Sequence, residues 1–158
     1  MKLSLVLFYA MVSACTSMAY ARPTITGDMI KTMAKITIAR IKKIKAEHFN
    51  MSPEISFGTY EDTPIEGLTS IVGHLSSLLA RLRVPPAHHL RQVEEDVDTL
   101  LGHLRGTAIG QGCTLPKAGS ALLKSETDFP ITSNYLSLLD LQRYLEKLCL
   151  NLDKLKPC

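Results

Sequence analysis

SNYLSLLDLQRYLEKLCLNLDKLKPC, residues 133–158, decides how the rest of the chain is read. Leu138, Leu141, Leu145, Leu148, Leu152 and Leu155 recur at alternating spacings of three and four, so a helix carries all six on one stripe. Such a stripe faces a core. The stretch closes on Lys156-Pro157-Cys158, where proline cannot continue the helix and the final cysteine stands where only another part of the chain can reach it. The chain end is therefore expected to be tied down.

The same rhythm occurs three more times upstream. A first helix over about 28–48 aligns Ile30, Met33, Ala34, Ile38, Ile41 and Ile44, with Asp28 as its cap. A second, over about 65–83, aligns Ile65, Leu68, Val72, Leu75, Leu79 and Leu82 and stops before Pro85-Pro86. A third, over about 87–105, aligns Leu90, Val93, Val97, Leu100 and Leu104. Glu94, Glu95 and Asp96 lie near its positive N-terminal end, which is reason enough for their charge, and Gly106, Gly110 and Gly112 are expected to end it. The fourth helix is expected over about 132–155, capped by Thr132 or Ser133. No segment reads as a strand, so the fold class is all-α, a four-helix bundle. Parallel neighbours need a return of about 30 Å, or at least about nine extended residues. The first and last connections are long enough for that return and the middle one is not, which predicts up-up-down-down topology with two long crossovers.

The chain has 158 residues and 46% apolar content, which suits one domain with one core. Its start, however, reads as a secretory signal peptide over 1–21: Lys2, an apolar run too short to span a bilayer, then Ala19-Tyr20-Ala21 before cleavage at Arg22. The expected product is a secreted, extracellular domain over 22–158 with its cysteines in an oxidising compartment. Cys15 leaves with the signal peptide, and Cys113, Cys149 and Cys158 remain, an odd number. If the last helix persists to Leu155, Cys149 and Cys158 lie most of two turns apart, beyond the roughly 7 Å reach of a disulfide. Cys113 with Cys158 is the better pair, leaving Cys149 as a half-buried thiol or an intermolecular partner. The formal charge of +3 is far from the strongly basic balance of a nucleic-acid or polyanion binder, and no stretch beyond the start is long and apolar enough to span a bilayer, so neither nucleic acid nor membrane insertion is expected.

Nothing organises His48, His74, His88, His89 and His103 for catalysis. No histidine pair sits four apart on a helix, and no metalloprotease, hydrolase, phosphate-cradle or zinc-ribbon motif occurs. No enzyme activity, metal or cofactor is expected. Recognition residues are sought off the core stripes instead. On the first helix Met29, Thr32, Ile36, Ala39, Arg40 and Lys43 share the face opposite the stripe, mixing apolar contact with cations as interfaces do. The third helix offers Gln92, Asp96, Thr99 and His103, and the inferred topology can set the two side by side. The last helix carries Leu136, Leu139 and Leu150 off its stripe, to be covered by a crossover or by a partner. Asn50-Met51-Ser52 is a glycosylation sequon followed by proline.

With these residues in view, the chain resembles the leptin family of long-chain four-helix cytokines, in its fish form. The resemblance rests on Gly112-Cys113-Thr114-Leu115-Pro116 after the third helix, on the terminal cysteine after Leu152-Asp153, and on Thr32, Lys35, Arg40 and Ile41 within TMAKITIARIKKI. It implies a hormone that binds the extracellular part of a leptin-type class I cytokine receptor, as a monomer beforehand, and signals through JAK/STAT in energy balance and appetite. It also implies a bridge from Cys113 to Cys158, agreeing with the geometric choice. The family's main receptor surface carries over to Thr32, Ile36, Arg40, Gln92 and Thr99, to which the off-stripe face adds Met29, and its activating surface to Thr132 and Ser133 with part of the first crossover. The chain departs from the family at Tyr60-Glu61-Asp62-Thr63, in place of an apolar loop patch, and at Cys149-Leu150, in place of leucine and tryptophan. Other expectations are a different four-helix cytokine or growth-hormone-like ligand, or a secreted helical carrier of lipid.

Overall fold

Among the described residues four helices carry the expected stripes, except that Ile65 precedes the second helix and, like Met33, is only partly buried. The computed structural model describes residues 27–49, 65–117 and 129–158; the signal peptide, the Asn50 sequon and residues 60–63 lie outside them. Helix α1 spans Gly27–His48, α2 Leu68–Leu82, α3 Arg91–Gly110 and α4 Pro130–Asn151, with single 3-10 turns at His88–Leu90 and Leu152–Lys154. No strand is present among the described residues.

Contacts between side chains give the direction of each helix. Helix α1 runs against α4, since Cys149 lies beside Lys31 while Phe49 meets Tyr135. It also runs against α3, with Arg40 beside Asp96 and His48 stacked on His89. Arg83 reaches Glu94 while Ser76 meets Arg105, so α2 opposes α3, and Arg81–Asp140 with His74–Tyr144 sets α2 against α4. Thus α1 and α2 point one way and α3 and α4 the other: up-up-down-down, as the connection lengths predict.

The core is wider than the sequence stripes. Thr37, Ile71, Leu78, Leu101, Ala108, Asn134, Ser137 and Tyr144 are buried besides the predicted residues. Each helix packs on two neighbours, so its buried arc exceeds the single three-four stripe that periodicity detects. The Thr37 hydroxyl is satisfied by donating to the Met33 carbonyl at 3.0 Å.

The helix ends depart from expectation in ways that matter for the surface. Asp28 lies within the first turn of α1 rather than capping it. Helix α3 runs through Gly106 to Gly110, because the solvent side of a helix tolerates glycine while Ala108 on the other side is buried. It stops at Gly112, whose φ of +76° is open to glycine at no steric cost. There the Gly112 and Cys113 amides donate back to the Ile109 and Ala108 carbonyls at 3.0 and 2.9 Å, a Schellman closure that aims Cys113 at the chain end. Helix α4 begins at Pro130, with no side-chain cap from Thr132 or Ser133. The preset proline φ starts the helix one turn earlier than those hydroxyls would. At its far end α4 gives way after Asn151, so Leu152 and Leu155 are only half-buried.

The chain end is held three ways. Cys113 and Cys158 are bonded, with Cα atoms 5.5 Å apart. The Lys156 amide donates to the Glu66 carbonyl at 3.1 Å. The Cys158 backbone then packs onto Gly67 so closely that a Cβ there would overlap it, so only glycine fits.

Candidate recognition surfaces

The residues expected to act together lie on the α1/α3 side, spread along the two helices. On α1, Met29 and Ile36 are 44% and 51% exposed, unusual for large apolar side chains on an ordered helix, and Thr32 is exposed between them. Gln92 and Thr99 are exposed on α3. Arg40 Nε approaches Asp96 Oδ2 at 3.2 Å, a charge contact rather than an aligned hydrogen bond, and Gln92 Nε2 donates to Asp96 Oδ1 at 3.3 Å. This partly buried pair joins the two helices and contributes about 1 kcal/mol. It fixes the register of α1 against α3, which sets Ile36 level with Thr99, while Met29 lies about 16 Å from Arg40 along α1, toward the end of α3, and Gln92 lies on the other side of the pair. The Thr32 and Thr99 hydroxyls donate to the carbonyls of Asp28 and Glu95, both at 2.8 Å, so their hydroxyl protons are already used within their own helices.

The α4 start forms a second exposed surface at one end of the bundle. Thr132 is exposed and Ser133 half-buried, and the Ser133 amide donates to the Phe129 carbonyl at 3.1 Å. Phe129 and Ile131 flank them at 71% and 72% exposure. Sequence reasoning missed both, since they lie at the cap and in the first turn of α4, ahead of the expected start, and belong to no stripe. Pro130 at the first helical position was the available signal, because it marks the helix start among apolar neighbours. Leu136 and Leu139 are half-buried, whereas Leu150 stands 79% exposed at the other end of α4.

Below the α4 start lies a ring cluster. His48 and His89 stack at 4.6 Å, Phe49 approaches His89 at 6.0 Å and Tyr135 at 5.3 Å, and Lys45 sits 5.5 Å over Tyr135. Burial, helped by His48 and His88, lowers the His89 pKa; burial, helped by Arg81 and Lys147 against Asp140, lowers that of His74. A histidine with a lowered folded pKa takes up its proton more readily in the unfolded chain. Stability is therefore expected to fall as pH drops through the ordinary histidine range near about 6.5. Glu146, whose pKa is lowered chiefly by its Gln142 hydrogen bond, removes stability only further down, in the carboxylate range. Thermal melts should show a lower midpoint at pH 5.5 than at pH 7.5, with the difference reduced in a His74→Gln/His89→Gln variant. A flat wild-type profile over that window would contradict this coupling.

With both surfaces described, comparison with known proteins identifies their setting. A sequence profile described as Leptin matches residues 25–158, and the chain is 32% identical to Leptin-B of Oryzias latipes over 165 aligned positions covering all of both chains. The chain belongs to the leptin family. That is a hormone and cytokine family rather than an enzyme family, and the four-helix bundle with its Cys113–Cys158 bond agrees with it. Within this leptin-family chain the free Cys149 is half-buried on the α1 side of α4, its Sγ 3.9 Å from the Lys31 carbonyl. Burial raises its pKa against the pull of Lys35 and Lys31, which keeps the thiol protonated and slow to exchange. No described helix is long and apolar enough to cross a membrane.

Proposed function

We propose that this protein is a secreted leptin-like hormone that binds the extracellular domain of a leptin-type class I cytokine receptor and signals through JAK/STAT in energy balance and appetite. In this reading residues 1–21 are removed as a signal peptide, and the folded domain over 22–158 circulates as a monomer. The observation that carries it is the α1/α3 face, where Ile36 stands exposed one turn from the Arg40–Asp96 pair and Met29 two turns beyond it, in a chain of the leptin family. Met29, Thr32, Ile36, Arg40, Gln92 and Thr99 anchor one receptor module, and Thr132 and Ser133, with Phe129 and Ile131 around them, engage a second. The mechanism is recognition, with no bond made or broken.

The carrier alternative has less support. The groove between α2 and α3, about 520 Å³, opens to solvent and is lined by Ser76, Ser77, Arg83, Asp98, Arg105 and Lys117 among its apolar residues, unlike the enclosed apolar cavity that a lipid needs.

Thr132→Ala/Ser133→Ala separates binding from activation. Neither hydroxyl caps α4, so the melting temperature is expected to hold within a degree or two. Receptor-ectodomain affinity should remain while the maximal response of a STAT reporter cell falls severalfold. Full reporter output would remove the α4 start from the proposed activating surface.

A further inference from the structure

The formal charge of +3 conceals a separation of charge between helices. Helix α1 carries six Lys or Arg against Asp28 and Glu47, four of them within Arg40-Ile41-Lys42-Lys43-Ile44-Lys45. Helix α3 carries Glu94, Glu95, Asp96 and Asp98 against two arginines. On α1, Lys31, Lys35, Lys42 and Lys45 fall within an arc of about 80° and span about 21 Å of helix. That arc adjoins α4: Lys42 Nζ lies 3.3 Å from Glu146, Lys45 Nζ donates to Gln142 at 3.2 Å, and the Lys31 carbonyl meets Cys149. Beyond the seam the outer side of α4 and its end add Arg143 and Lys154. The two sides of α1 thus differ, with apolar Met29 and Ile36 toward α3 and a row of ammonium groups toward α4.

We propose that the α1/α4 side of the bundle binds a sulfated glycosaminoglycan, held by Lys31, Lys35, Lys42 and Lys45. Charge complementarity and shape support it together: a row of point charges over about 21 Å matches the repeated sulfates of an extended polyanion. The Lys42–Glu146 pair, with the lysine side chain 60% exposed, is weak enough to exchange for a sulfate. A lipid surface fits less well, because the apolar side chains that α1 leaves exposed, Met29 and Ile36, lie on its α3 side, away from the lysine row, and the rest of its apolar side is in the core. Nucleic acid fits less well too, since Tyr135, the ring beside Lys45, is half-buried against Phe49 and is not offered for base stacking. The extracellular setting rests on the proposed function; the surface itself does not use the receptor-facing residues, so both partners can be held at once.

The test uses the mature chain on immobilised heparin, with salt dependence measured around about 0.15 M NaCl. Wild type should be retained there. Lys31→Gln/Lys35→Gln/Lys42→Gln should bind at least about tenfold more weakly, with the log–log salt slope reduced by about 2 to 3. Arg83→Gln/Arg91→Gln/Lys117→Gln removes the same charge elsewhere on the surface and should bind as wild type does. Equal weakening of the two variants would reduce the effect to net charge and overturn the proposal. So would wild type passing through heparin unretained, or binding only to phosphatidylserine vesicles. Receptor-ectodomain affinity, measured separately without heparin, should be unchanged in the α1 variant, so failure of either reading leaves the other standing.

Discussion

Cys158→Ser is expected to lose roughly 4 kcal/mol of stability and to lower the melting midpoint by about 10–20 °C. The bond closes a sequence separation of 45 residues, a loop long enough that removing it returns substantial entropy to the unfolded chain. The folded state loses as well, because the same bond presses the terminal backbone onto Gly67 beside the Lys156–Glu66 hydrogen bond. Cys149→Ser serves as the control: its thiol makes only a 3.9 Å contact with the Lys31 carbonyl, and its midpoint should stay within about 2 °C of wild type. The damage should also be local at first. The bond lies at the end of the bundle where α1 and α2 begin, whereas the α4 start lies about 30 Å away at the other end. Hydrogen exchange should rise around residues 66–68 and 152–158 before it rises at 130–135. Equal midpoints for the two serine variants would show that the core alone sets stability.

Met29→Glu/Ile36→Glu is expected to weaken receptor binding by at least about thirtyfold, or about 2 kcal/mol, while the fold is kept. Both side chains are exposed and outside the core, so charge there costs the folded protein little. Across an interface it would bury two unpaired carboxylates, which is where the large effect comes from. Arg40 is a poorer probe. Replacing it with glutamate would break its contact with Asp96 and set like charges together, confounding affinity with the α1/α3 arrangement. A change of less than about threefold in affinity at an unchanged midpoint would exclude this face.

Periodicity located the helices because each has one core stripe, and connection lengths gave topology because parallel neighbours need a long return. The cysteine pairing was legible because Pro157 rules out a helix that continues to Cys158, leaving that residue to reach back to the loop after α3, although the helix in fact ends earlier, at Asn151. Local detail was not. Pro130 and Phe129, not Thr132 or Ser133, open α4, since the proline constraint acts before any hydroxyl cap. Gly106 failed to end α3 because burial of Ala108 beyond it favours one further turn. Residues such as Tyr144 and Leu101 escaped the stripes because two neighbouring helices widen each buried arc. The α1/α3 face was legible as an off-stripe mixture of apolar and cationic residues, but the Arg40–Asp96 contact was not, since pairing across helices depends on the register with which they pack.

The most direct measurement is surface plasmon resonance of the mature chain against a leptin-type receptor ectodomain and a panel of other class I cytokine receptor ectodomains. Saturable binding is predicted to the leptin-type ectodomain, lost in Met29→Glu/Ile36→Glu and retained in Thr132→Ala/Ser133→Ala. Binding to a different member of the panel, or equal binding by wild type and the Met29→Glu/Ile36→Glu variant, would contradict the proposed function.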